Sequence, residues 1–228
     1  MRLRAGKPTT DSSPTDRMKY MFSERRNTMD TVLYIHGKGG SADEAEHYRT
    51  LFSSCKVIGL DYKNFTPWET GREISDAVSG LRKEYDRVIL IANSIGAFFS
   101  MNAGIENDVF HAFFISPVVD MERLITDMMS WAGVTEEELK AKGTIGTSFG
   151  EDLSWEYLCY VREHPIEWTV PTDILYGSRD DLTSLETMTS FARKHNAGLT
   201  VMEGGEHWFH TEEQMAFLDK WIGEKTVY

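Results

Sequence analysis

Cysteine is scarce: Cys55 and Cys159 are the two in 228 residues, far apart in the chain. They make neither a disulfide framework nor a metal-ligand spacing, so they read as buried, reduced thiols in a reducing, cytoplasmic compartment. Positive charge is scarce as well. With 24 Lys and Arg against 36 Asp and Glu, the formal net charge is −12, and no basic face is available for a nucleic-acid backbone. Long apolar runs are missing: nothing approaches the length that spans a bilayer, and the N-terminus carries no signal-peptide stretch. Internal repeats and low-complexity blocks are absent too. Residues 1–17 are rich in Arg, Lys, Pro, Thr, Ser and Asp with almost nothing to bury, which predicts a disordered tail. The remainder, residues 18–228, suits one domain whose core needs no disulfide.

What is present centres on Val88-Ile89-Leu90-Ile91-Ala92-Asn93-Ser94-Ile95-Gly96-Ala97. The apolar, mostly β-branched start predicts a strand buried on both faces, and the small residues after it leave room for an abrupt turn into a helix. Ser94 falls on that turn. There its hydroxyl projects away from the sheet, and the helix opening at Ile95 aims unpaired main-chain N–H groups into the same space. The spacing Ala92-x-Ser94-x-Gly96 fits the pattern G-x-S-x-G with alanine in first place.

Along the chain, residues 18–22 read as a short edge strand and residues 31–35 as a stronger one, running into the glycine loop His36-Gly37-Lys38-Gly39-Gly40. Ser41 with Glu44, and Thr70 with Glu73, have capping-box spacing and predict helix starts. Residues 56–60 and 110–115 are further strands, and Ile74, Ala77, Val78, Leu81 and Tyr85 recur at helical spacing between them. Strands alternating with amphipathic helices imply an α/β fold: a mostly parallel central sheet covered by helices on both faces.

From about 120 to 170 the alternation stops. Helices are expected through Leu124 to Trp131, from Thr135 with Glu138 as capping box, and from Ser154 to about Glu163, with no strands, as a small helical lid over one end of the sheet. Its aromatic and methionine side chains mostly pack it down, while Met128, Trp131, Trp155 and Tyr160 are candidates to line an apolar substrate pocket. The alternation returns with a strand over 172–176, a helix capped by Thr183 with Glu186, a strand over 199–202, and a final helix capped by Thr211 with Gln214 and stopped by Gly223.

Parallel sheets place ligands beyond the carboxyl ends of their strands. The 36–40 loop, Ser94, Asp180 (with Asp181 beside it) and His207 all fall there, in the order serine, acid, histidine. His207 and His210 lack a second ligand cluster, which argues against a metal, and the glycine loop lacks the spacing of a phosphate or dinucleotide site.

On these residues the sequence resembles the α/β-hydrolase superfamily: His36-Gly37 after an early strand, Ala92-Asn93-Ser94-Ile95-Gly96 as nucleophile elbow, Tyr176-Gly177-Ser178-Arg179-Asp180 with the acid, and Gly205-Glu206-His207 with the histidine. The resemblance covers about residue 31 to the C-terminus, and the 120–170 excursion lies where members insert lids. It implies a serine hydrolase acting on a small or medium acyl compound, foremost a carboxylic ester, with thioester or amide cleavage using the same machinery, and no cofactor. Ser94 would be nucleophile, His207 base and Asp180 the orienting acid, with the main-chain N–H groups of Lys38 and Ile95 as oxyanion donors. The Lys38 side chain is expected to be solvated. The rival expectation is a non-catalytic protein that binds a small ligand on the same fold.

Overall fold

The computed structural model describes residues 29–225. The expected tail and the edge strand at 18–22 lie outside the described residues. The sheet has six strands, β1 (Thr31–Ile35), β2 (Lys56–Gly59), β3 (Val88–Asn93), β4 (Val109–Ile115), β7 (Thr172–Gly177) and β8 (Gly198–Met202), in the order β2-β1-β3-β4-β7-β8. Every neighbouring pair is parallel. A short antiparallel pair, β5 (Thr144–Gly146) with β6 (Asp152–Ser154), stands apart from it.

The period-two geometry of a strand divides the core into two layers. Leu33, Ile35, Leu90, Ala92, Phe114 and Ile174 face one side. They pack under α1 (Pro67–Glu84), α2 (Ile95–Met101) and α6 (Leu185–Lys194), which contribute Ile74, Phe99 and Met188. Val32, Ile89, Ile91, Phe113 and Leu175 face the other, against Tyr48 of a 3-10 helix (Ala42–Arg49) and Leu218, Trp221 and Ile222 of α7 (Glu212–Lys225). Side chains such as Ile91 and Phe113, with no exposed surface, each contribute about 1.5–3 kcal/mol by burial.

The excursion between β4 and β7 carries α3 (Met121–Ala132), α4 (Glu136–Lys142) and α5 (Trp155–Glu163). It is not purely helical: the β5–β6 hairpin sits in its middle, closed by a turn in which the main-chain N–H and hydroxyl of Thr147 both donate to the Glu151 carbonyl. Three residues per strand are too few for a periodic signal in the sequence.

Capping agrees with expectation at Ser41 with Glu44 and at Thr135 with Glu138, both reciprocal capping boxes. It differs elsewhere. Pro67 at the first helical position, with its φ already set, starts α1 a turn before Thr70, which is buried and donates its hydroxyl to the Asn64 carbonyl. Thr183 is occupied by the turn before α6, its N–H bonded to Asp180, so Ser184 caps the helix by accepting from the Thr187 N–H. Gly223 does not stop α7, which runs on to Lys225.

Candidate active site

The loops that follow β1, β3, β7 and β8 meet at the carboxyl edge of the sheet. Ser94, between β3 and α2, has φ 49° and ψ −120°, a left-handed backbone uncommon for any residue but glycine. Main-chain bonds hold it there: its N–H donates to Ile115 (3.0 Å) and its carbonyl accepts from Val118 (3.1 Å) and Ala97 (3.2 Å). Gly96 is required for the turn, since a Cβ at that position would lie 2.4 Å from the His36 carbonyl oxygen. Ala92, by contrast, sits in strand β3 with its methyl in the packed core, so the first small residue of the pattern needs no glycine here.

The His207 ring bridges the other two elements. Its Nε2 lies 2.8 Å from the Ser94 hydroxyl, and its Nδ1 lies 2.7 Å from Asp180 Oδ2. The other Asp180 oxygen accepts from the N–H groups of Leu182 (2.9 Å) and Thr183 (3.1 Å), and none of the Asp180 side chain is exposed. An acid held by two donors and hidden from water can accept a hydrogen bond from the Nδ1–H group, which keeps the proton on Nδ1 and leaves Nε2 free to receive one from the serine. Asp181 beside it is exposed.

On the opposite side of Ser94, the His36–Gly40 loop passes so close that a Cβ on Gly37 would come 3.2 Å from the Ser94 Cβ. His36 does not enter the site: its ring stacks on Tyr62 at 4.1 Å, and the Tyr62 hydroxyl donates to the His36 carbonyl (2.8 Å). Behind the elbow, Asn93 donates to the Tyr34 hydroxyl (2.9 Å), which in turn donates to Glu44. Burial, the neighbouring Tyr48 and the bond to Glu44 push the Tyr34 hydroxyl far above the ordinary tyrosine range, so it remains a proton donor at any physiological pH.

Ser94, Ile95 and Lys38 line a cavity of about 550 Å³. Its walls are mainly apolar, made by Val118, Met121, Leu124, Ile125 and Met128 from the start of the excursion and by Leu153 and Tyr157 farther on. Of the four pocket candidates, Met128 and Trp131 line it. Trp155 and Tyr160 do not: they flank a separate groove with Trp68 and Cys159, Trp155 beneath the Lys140 ammonium and Tyr160 against Trp68 and His164. The register of α5 turns Tyr157 inward in their place, and burial pushes its hydroxyl well above the usual tyrosine value. A helix of aromatic residues does not reveal which of them faces inward until its neighbours fix its rotation.

The Lys38 side chain is not merely solvated. Its ammonium makes an ion pair with Glu151 in the β5–β6 turn and lies 5.9 Å from the Phe65 ring centroid. Glu151, Phe149 and Phe65 also line the cavity, and sequence reasoning missed all three: Phe149 and Glu151 come from the short β5–β6 turn and Phe65 from the segment before α1, which are distant in sequence and meet only in the packed chain. Among the described residues no group of His, Cys, Asp and Glu is arranged to hold a metal, and no helix is long and apolar enough to cross a membrane.

No family model matches this chain, and no curated protein does. Solved structures do. Est1E from Butyrivibrio proteoclasticus, in a structure with bound ferulic acid, is 14% identical, matched over 90% of this chain and 91% of its own, with a TM-score of 0.70. Alpha/beta hydrolase domain-containing protein 10 from mouse is 18% identical over 88% and 90%, with a TM-score of 0.65. A lipase-esterase related protein from Clostridium acetobutylicum is 14% identical over 88% and 96%, with a TM-score of 0.56. Such low identities with such complete coverage speak to architecture, and the architecture is theirs: this chain has the α/β-hydrolase fold.

Proposed function

We propose that this protein is a serine hydrolase that cleaves a small or medium carboxylic ester through an acyl-enzyme on Ser94. One observation carries the reading: a serine, an imidazole and a buried carboxylate stand in series at 2.8 and 2.7 Å, and the serine lines a mainly apolar cavity. Ser94 Oγ attacks the ester carbonyl while its proton passes to His207 Nε2. Asp180 holds the ring in the tautomer that can accept it and stabilises the imidazolium that results. The negative oxygen of the tetrahedral intermediate is taken up by the N–H groups of Ile95, which as the first residue of α2 has no intrahelical acceptor, and of Lys38. Collapse returns the proton to the departing alcohol. Water then enters by the same base and releases the acid.

The walls around Met121, Leu124 and Met128 would hold the acyl group and keep it from bulk water. That the structural neighbours are named as esterases and hydrolases supports this reaction class. Cys55 and Cys159 are free thiols, half-buried rather than buried as expected, and their unpaired state supports a cytoplasmic setting.

A fluorophosphonate tests the proposal, because only an activated serine forms the covalent adduct. The expected result is labelling of the wild type that disappears in Ser94→Ala. A wild type that is folded and yet unlabelled would leave the protein as a binder of small ligands on this fold.

A further inference from the structure

The cavity is lined mainly by apolar side chains, and three charged ones, each at least partly exposed, also line it: Lys38, Glu151 and Asp152. Lys38 is the one lysine or arginine among them, and its ammonium is already engaged by the Glu151 carboxylate. A substrate carboxylate arriving there would lose hydration against the apolar walls, would meet the negative charge of Asp152, and would find the nearby ammonium taken.

We infer that Glu151 is a specificity-determining residue, which by engaging Lys38 in the lining of the cavity restricts the site to esters with uncharged acyl groups. The inference rests on the esterase reading and adds the class of substrate to it. Glu151 suits the role because its carboxylate and its main chain do different jobs. The turn is closed by Thr147 donating to the Glu151 carbonyl, a contact independent of the side chain, so the carboxylate can be changed while the hairpin stays closed. Both partners are partly exposed, 51% for the Lys38 side chain and 36% for that of Glu151, so solvent screening makes the expected selectivity moderate.

The test compares two nitrophenyl esters of equal chain length, one with an alkyl acyl group and one with a terminal carboxylate. The quantity read is the ratio of kcat/KM for the anionic ester to that for the neutral one. Any shift of the Lys38 main chain would change both rates together and cancel in this ratio. The wild type should favour the neutral ester, and Glu151→Gln should raise the ratio by about three- to tenfold, as expected for one partly screened charge pair. The rise should shrink as salt is added and vanish in the double variant Glu151→Gln with Lys38→Met. A ratio in Glu151→Gln within about twofold of the wild type, or a wild type indifferent to the charge, overturns the inference while leaving the esterase reading in place. Turnover of both esters that survives Ser94→Ala overturns the esterase reading itself, and the inference with it.

Discussion

Gly177, the last residue of β7, touches Gly205, which lies in the loop after β8: a Cβ on Gly177 would stand 2.5 Å from both the carbonyl carbon and the carbonyl oxygen of Gly205. The contact matters because one of these loops carries Asp180 and the other His207. They are joined further by the Arg179 N–H donating to the Gly205 carbonyl (2.8 Å) and the Gly204 N–H donating to the Ser178 hydroxyl (2.8 Å). The acid and the base are thus held together by main chain before their side chains meet. Gly177→Ala should therefore destabilise the protein by about 1–3 kcal/mol, as overpacking against backbone does, and should slow fluorophosphonate labelling of Ser94. Denaturant titration and labelling rate check the two effects, and an unchanged labelling rate would show that the loops are positioned independently.

Only one of the two adjacent carboxylates faces the imidazole. Asp180→Asn replaces the acceptor of the Nδ1–H hydrogen bond with a group that favours the wrong tautomer, and turnover should fall by about three to four orders of magnitude. Asp181→Asn, at an exposed position, should leave it within about twofold. Ester hydrolysis by the two variants decides the assignment, and the opposite ranking would exchange their roles.

The cavity wall and the outer groove should separate in substrate preference. Met128→Trp fills space in the cavity that Ser94 lines and should cut kcat/KM for the longest acyl chain accepted by about tenfold or more, while short esters are spared. Trp155→Ala and Tyr160→Ala, on the outer groove, should leave the chain-length profile unchanged. A panel of esters of graded length gives the answer directly.

Acid should weaken the fold through Asp173. His111 at 3.1 Å and Lys225 at 2.8 Å hold this carboxyl below its ordinary range, the bond to His111 being the larger cause. In the folded protein it therefore stays ionised at pH values where the unfolded chain has already taken up the proton. The stability it provides is complete above the ordinary carboxylate range and is lost as pH falls through that range toward the lowered folded value. Thermal unfolding followed from pH 6 to pH 3 should show a smaller loss of midpoint in Asp173→Asn than in the wild type. Equal slopes would mean that other carboxylates dominate acid unfolding.

Much of this protein is legible in one dimension because the signals are local. The apolar, β-branched run Val88–Ile91 reads as a buried strand, Ser94 with Gly96 after it marks an abrupt turn, and Asp180 and His207 follow strands as Ser94 does. A parallel sheet brings such strand ends to one edge whatever the loops between them, so order along the chain was enough to suggest the meeting of the three. Lateral decisions were not legible in the same way. Which of Trp155, Tyr157 and Tyr160 faces the cavity depends on the rotation of α5 against its neighbours, and the pairing of Lys38 with Glu151 joins residues 113 positions apart through a hairpin too short to announce itself. Periodicity and spacing determined the elements and their polarity. The rotation of each helix about its axis, and the choice of partner for each charged side chain, were decided when the pieces packed, because those depend on the shape of surfaces contributed by distant parts of the chain.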